Sequence, residues 1–227
     1  MIALLDADIL CYRVGATTEN ETESTAISTM AVLLENMIMF NLEECDGHEL
    51  FLTGPTNFRH DIAVTAPYKG NRKDKVKPKH LLLLREYLIT AWEANVSEGQ
   101  EADDTITIRA TELGAENAII VSLDKDFLQV NTWHYNFVKE TKTFVTEDEG
   151  LRFFYRQILM GDAADNIKGA MRVGPVKAEK FLKDAITPYQ QYQCCVEVLG
   201  AERVLENARL LWLRRQPNQM WEPPNEE

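Results

Sequence analysis

The chain opens on a short apolar run, Ile2 to Leu5, that ends on Asp6. Four residues are too few to show a period, but such a run predicts a buried strand. Residues 24–44 carry apolar positions at helical spacing, with Ser24 as the expected N-cap. "HELFLTG" predicts a second strand. The stretch from about 54 to 79 is polar and basic, and long for a connection inside a compact domain, which favours a functional or mobile segment. Helices are then predicted over "HLLLLREYLITAWEAN" and over "EADDTITIRATELG", the second ending at Gly114. "AIIVSL" is a buried strand, and "TWHYNFV" and "TKTFVT" pair as a hairpin around "KE". "EDEGLRFFYRQILMGD" begins acidic and continues apolar, as a helix does. Beyond residue 174 the pattern is helical to about 215, and "QPNQMWEPPNEE" reads as a tail. Strands alternating with helices predict an α/β fold: a central, mostly parallel sheet flanked by helices. One domain over 1–215 with a tail at 216–227 is expected, its site at the carboxyl ends of the strands.

Charge changes this picture more than composition does. The net charge of −12 argues against a non-specific nucleic-acid binder. Yet residues 66–80, "APYKGNRKDKVKPKH", hold six Lys or Arg and one Asp, and residues 168–183, "KGAMRVGPVKAEKFLK", hold five and one Glu. The protein is acidic with two basic islands. No uninterrupted apolar window of about 18 residues predicts a membrane span, and no secretion signal is visible. Cys11, Cys45, Cys194 and Cys195 lack metal-ligand spacing, so reduced thiols in a cytoplasm are expected.

Four acid clusters carry the candidate chemistry: Asp6 and Asp8; Glu101, Asp103 and Asp104; Asp124 and Asp126; Asp162 and Asp165. Gathered without cations they would raise one another's pKa. Oxygen-only ligands favour Mg²⁺ or Mn²⁺. Each cluster also has a plain explanation: a capped turn after a strand, or the acidic first turn of a helix. "LLDADIL" fits equally the first motif of haloacid dehalogenases, where the first Asp is a nucleophile and the second a general acid. Their last acid pair is usually four or more residues apart, whereas Asp162 and Asp165 are three apart.

In order, "LLDADIL", "NFRHDIAVTAPYKGNRK", "EADD", "VSLDKDF" and "MGDAADNIKGAMRVGPVKAEKFL" resemble the 5′ nuclease superfamily of flap endonucleases and 5′→3′ exonucleases, above all its compact bacteriophage members. The resemblance covers residues 2–183. It implies metal ligation by Asp6, Asp103, Asp104, Asp124, Asp126, Asp162 and Asp165, with Glu101 and Asp6 positioning metal-bound water. It implies a basic arch (about 54–92) whose Lys69 and Arg72 contact the scissile phosphate, beside Lys73 and a base-stacking Tyr68. A helix–turn–helix-like element (about 160–185) would grip duplex backbone through Gly169, Arg172, Gly174, Lys177 and Lys180, the backbone of its turn aimed at phosphate or at a bound K⁺.

The activity implied is hydrolysis of DNA phosphodiesters by two Mg²⁺ or Mn²⁺ ions about 4 Å apart. The substrate would be a 5′ end or flap, or an RNA–DNA hybrid, and the chain a monomer. One departure stands out: Gly54 occupies a position where the family usually carries an acid. It motivates the alternative of a non-catalytic DNA-structure-binding protein. A PIN-like ribonuclease is opposed by residues 166–183.

Overall fold

The computed structural model describes residues 1–226, Phe40 and Asn41 by backbone alone. Along the chain run β1 (Ile2–Asp6), α1 (Ala7–Thr17), α2 (Glu23–Asn36) continued by a π turn (Met37–Asn41), β2 (Gly47–Leu52), α3 (Arg59–Ile62), a 3₁₀ turn (Gly70–Arg72), α4 (Leu81–Ala91), β3 (Asn95–Val96), α5 (Ala102–Leu113), β4 (Ala118–Val121), a 3₁₀ turn (Lys125–Gln129), β5 (Thr132–Asn136), β6 (Thr141–Val145), α6 (Glu147–Met160), β7 (Gly161–Asp162), β8 (Ile167–Lys168), α7 (Pro175–Leu182), α8 (Pro188–Leu199) and α9 (Ala201–Leu211). The chain divides into two compact units: Met1–Asn57, Val76–Phe127 and Asn131–Val145 form the first, and Phe58–Lys75, Leu128–Val130 and Thr146–Glu227 the second.

The first unit holds a six-stranded sheet in the order β3-β2-β1-β4-β5-β6. All pairs are parallel except the β5–β6 hairpin. Strands β1 and β4 are buried almost throughout, which explains their unbroken apolar sequence. Ala3, Leu5, Leu50, Leu52, Ile119 and Val121 pack with Leu10, Val14, Met30, Leu34, Leu84 and Leu88 of α1, α2 and α4. Helix α5 packs against β1, β2 and β4. The chain direction across the sheet reverses between β1 and β4, where their carboxyl ends leave a crevice.

Two boundaries differ from expectation. Helix α1 follows β1 without a loop, because Asp6 serves as its N-cap and accepts from Ile9 N at 3.2 Å. Helix α2 starts before Ser24: the Thr22 hydroxyl accepts from Thr25 N.

In the second unit α6 is amphipathic, with a capping box between Thr146 and Glu149. Its Phe154, Tyr155, Ile158 and Leu159 pack with Leu182, Cys195, Val204 and Ala208. Arg59, 1% exposed, donates to the carbonyls of Leu210 and Trp212 at the end of α9, an arrangement the helix dipole favours. In the segment expected as a tail, Glu227 lies outside the described residues. Trp221 is buried against Phe154, and Arg209 donates to its carbonyl at 3.2 Å. One indole can bury enough apolar area to dock a segment that shows no period.

Candidate functional site

Asp6 ends β1 and Asp124 follows β4, so the two neighbouring parallel strands present them at the crevice. Ser122 joins them: its hydroxyl donates to Asp6 Oδ2 at 2.8 Å and accepts from Asp124 N at 3.0 Å. Asp126 N donates in turn to Asp124 Oδ1 at 2.9 Å. Asp6 is 5% exposed, and its carboxyl is pushed up to about 7, first by burial. The charges of Asp8 and Asp124 push the same way, while the donations from Ser122 and Ile9 oppose them.

The acids of "EADD" separate into two roles. Glu101 is the N-cap of α5 and shares a capping box with Asp104, whose carboxylate accepts from Glu101 N at 3.3 Å. Asp104 is fully buried. This capping box is the arrangement that an acidic helix start supplies. Asp103 is half-buried in the same first turn.

Asp8 accepts from Thr53 N at 2.8 Å through Oδ2 and pairs with Arg85 through Oδ1. Gly54 has no room for a side chain, since a Cβ there would lie 2.0 Å from the Ser97 carbonyl oxygen. Backbone occupies the place where an acid was expected.

The donors fit a hard divalent cation: they are oxygens only, and a cation beside Asp6 would favour the ionised form that burial opposes. Among the described residues, no three His, Cys, Asp or Glu side chains are already gathered as a cage.

In the second unit, Asp162 and Asp165 lie on the hairpin between β7 and β8. Asp162 Oδ1 accepts from Ala164 N at 2.6 Å and from Asp165 N at 3.3 Å. The segment 67–72 clamps this loop. Lys69 N donates to the Asp165 carbonyl, Asn71 to the Ala163 carbonyl and Arg72 Nε to the Ala164 carbonyl. The Asp165 carboxylate accepts from Arg72 Nη2 at 2.6 Å and from the Tyr68 hydroxyl at 2.8 Å, with Lys69 Nζ 3.9 Å away.

Tyr68, expected to stack on a base, is placed inside this unit. It is 4% exposed and its ring packs in the core of this unit, edge-on to His60. Lys73 is exposed. Gly161 and Gly169 let the hairpin backbones touch: a Cβ on Gly169 would lie 2.2 Å from the Met160 carbonyl oxygen. Gly174 caps α7 with open space around it, and the left-handed residue of that turn is Arg172, φ 60°. Arg172, Lys177 and Lys180 are exposed.

Residues 1–155 match the family described as "5'-3' exonuclease, N-terminal resolvase-like domain". The chain belongs to this 5'-3' exonuclease family. A "5'-3' exonuclease" of Buchnera aphidicola (subsp. Schizaphis graminum) is 29% identical over 202 residues, covering 80% of this chain and 69% of that protein. "DNA polymerase I" of Bacillus caldotenax is 31% identical over 235 residues, covering 92% of this chain but 26% of the polymerase. Among solved structures, T5 5'-exonuclease with bound zinc shares the fold at a TM-score of 0.66 and 19% identity, over 92% of this chain and 88% of that one. The catalytic core of Rad2 with a DNA substrate has a TM-score of 0.53 at 16% identity, over 85% and 64%.

For a chain of the 5'-3' exonuclease family, three features of the acid clusters, two in the first unit and one in the second, escaped sequence reasoning. Ser122 lies within "VSLDKDF", and its small hydroxyl between two acids was the available signal. The pairing of Asp8 with Arg85, 77 residues apart, left no local signal. Nor did the use of Asp165 by Arg72, 93 residues away. No described helix is long and apolar enough to cross a membrane.

Proposed function

We propose that the chain is a divalent-metal-dependent 5′→3′ nuclease that hydrolyses DNA phosphodiesters at 5′ ends or flaps. The observation that carries this is the Asp6–Ser122–Asp124 link at the reversal point of the sheet, in a member of the 5'-3' exonuclease family. Asp6, Asp103, Asp124 and Asp126 would hold Mg²⁺ or Mn²⁺ in the first unit, while Asp162 and Asp165 are the candidate acids of the second. A bound ion would lower the pKa of a water and stabilise the leaving oxygen. Ser122 keeps Asp6 and Asp124 at a fixed separation, and burial of Asp6 keeps competing water away. Arg72 and Lys69 would exchange the Asp165 carboxylate for a DNA phosphate of the same charge and donor demand. The exposed Arg172, Lys177 and Lys180 would hold duplex backbone, with affinity falling as salt rises.

The test uses 5′-labelled and 3′-labelled duplex and flap DNA in Mg²⁺, beside Asp124→Ala/Asp126→Ala. Short 5′ products from the wild-type chain alone support the proposal. Equal products from both would sink it. Binding of flap DNA without any product would favour the non-catalytic alternative, which the closed backbone at Gly54 motivates.

A further inference from the structure

Thr53, just past the end of β2, commits all its polar groups to its neighbours. Its N–H donates to Asp8 Oδ2 at 2.8 Å. Its carbonyl accepts from Arg85 Nη2 at 2.6 Å. Its hydroxyl oxygen accepts from Ala102 N at 2.9 Å. Arg85 closes the ring by pairing with Asp8 Oδ1. Ala102 is the first residue of α5, so its N–H has no partner within the helix. A residue 49 positions away supplies the acceptor. Next in the chain, Gly54 lies against the Ser97 carbonyl, and Ser97 is itself held by Leu52 O and the Thr105 hydroxyl. The start of α5, with Asp103 one residue beyond Ala102, is thus fixed by the end of β2.

We infer that Asp8, Thr53 and Arg85 are positioning residues that set how α5 presents Asp103, and that Asp8 holds no metal. The Asp8 carboxylate is paired with the Arg85 guanidinium, which meets the charge a cation would otherwise meet, and with Thr53 N, whereas Asp6 accepts only from the neutral donors Ser122 and Ile9 N. The ring ties α1, β2 and α4 to the acid-bearing turn of α5, so an error in any of the three moves the carboxylate. The inference deepens the nuclease reading and rests on it for the consequence, but the hydrogen-bond ring can be tested without it.

Thr53→Val removes only the hydroxyl acceptor, and Thr53→Ser keeps it. Amide hydrogen exchange over residues 102–105 should quicken about tenfold in Thr53→Val, the worth of one hydrogen bond, and return to wild type in Thr53→Ser. Calorimetric titration with Mn²⁺, without DNA, should show about tenfold weaker binding in Thr53→Val, Asp8→Asn and Arg85→Met than in the wild type. On flap DNA these variants should lose kcat with KM unchanged. Melting in EDTA checks that each variant is folded. Unchanged exchange at Ala102 in Thr53→Val would overturn the ring. Faster exchange with unchanged Mn²⁺ affinity and kcat would overturn the positioning role. A wild-type chain that neither binds Mn²⁺ nor cuts DNA would sink the nuclease reading instead, while the exchange result still decides whether Thr53 holds α5.

Discussion

Placing an acid at Gly54 tests whether this chain lacks a carboxylate by simple substitution or by a closed backbone. The φ of Gly54 lies outside the left-handed region, so backbone conformation does not forbid a side chain; space does. A Cβ would stand 2.0 Å from the Ser97 carbonyl oxygen, where ordinary contact begins at 3.4 Å. Backbone would have to move by more than an ångström. Ser97 resists, because its N–H donates to Leu52 O at 2.9 Å and its hydroxyl shares a hydrogen with Thr105 at 2.7 Å. Overpacking of this kind costs about 3 kcal/mol, the upper end of the usual range, or a loss of about 6–12 °C in melting temperature at this chain length. Gly54→Ala, Gly54→Asn and Gly54→Asp should therefore melt lower by similar amounts in EDTA, since the first atom of the side chain does the damage. Mn²⁺ titration should show no tighter binding in Gly54→Asp than in Gly54→Asn. A Gly54→Asp chain with wild-type melting and stronger Mn²⁺ binding would refute the argument and show the position open to an acid.

Asp6 titrates near 7 in the folded chain and near 3.8 unfolded, so the folded state holds the extra proton between those values and stability falls as pH rises through them. Asp6→Asn should therefore melt higher than the wild type at pH 8 in EDTA, the gap closing by pH 4, while its nuclease activity is lost; equal melting at pH 8 would contradict the burial argument. Gly161 combines φ 68° with a Cβ position 2.3 Å from the Ile167 carbonyl oxygen. Gly161→Ala should lower stability by about 3 kcal/mol in urea titration, and a change below 1 kcal/mol would mean the hairpin yields. Lys177→Ala/Lys180→Ala should lower the slope of log K for duplex DNA against log salt by about 2, one for each lost phosphate contact; an unchanged slope places duplex elsewhere.

Much of the fold was legible because its parallel strands are buried on both faces. "IALL" and "AIIV" read as strands with no neighbour to guide them, and a helix end such as Gly114 or an acidic helix start such as Glu147 carries local chemistry. What was not legible depends on long-range contact. Helix α1 buries small residues, Ala7, Cys11 and Gly15 among them, and so leaves little apolar periodicity. The last segment is tied by one tryptophan and two arginines from α9 and its end. Tyr68 stands in a basic, polar stretch that suggests solvent, yet its partner is Asp165 on a distant hairpin.

The acids show the same limit at closer range. An acidic residue at a helix start has two independent physical reasons to be there. It caps orphan N–H groups and complements the dipole, or it faces a cation. Residue type and spacing are identical in the two cases, so "EADD" could not be divided by reading it. Hydrogen bonds divide it: Glu101 and Asp104 serve the cap, and Asp8 serves Thr53 and Arg85. A carboxylate already neutralised by a guanidinium, as Asp8 is by Arg85, gains less from a cation than one whose donors are neutral. In the first unit Asp6 accepts from the Ser122 hydroxyl and Ile9 N, and Asp124 from Asp126 N, all neutral donors, whereas Asp104 serves the cap of α5; substitutions at Asp6 and Asp124 should therefore weaken Mn²⁺ binding more than Asp104→Asn does.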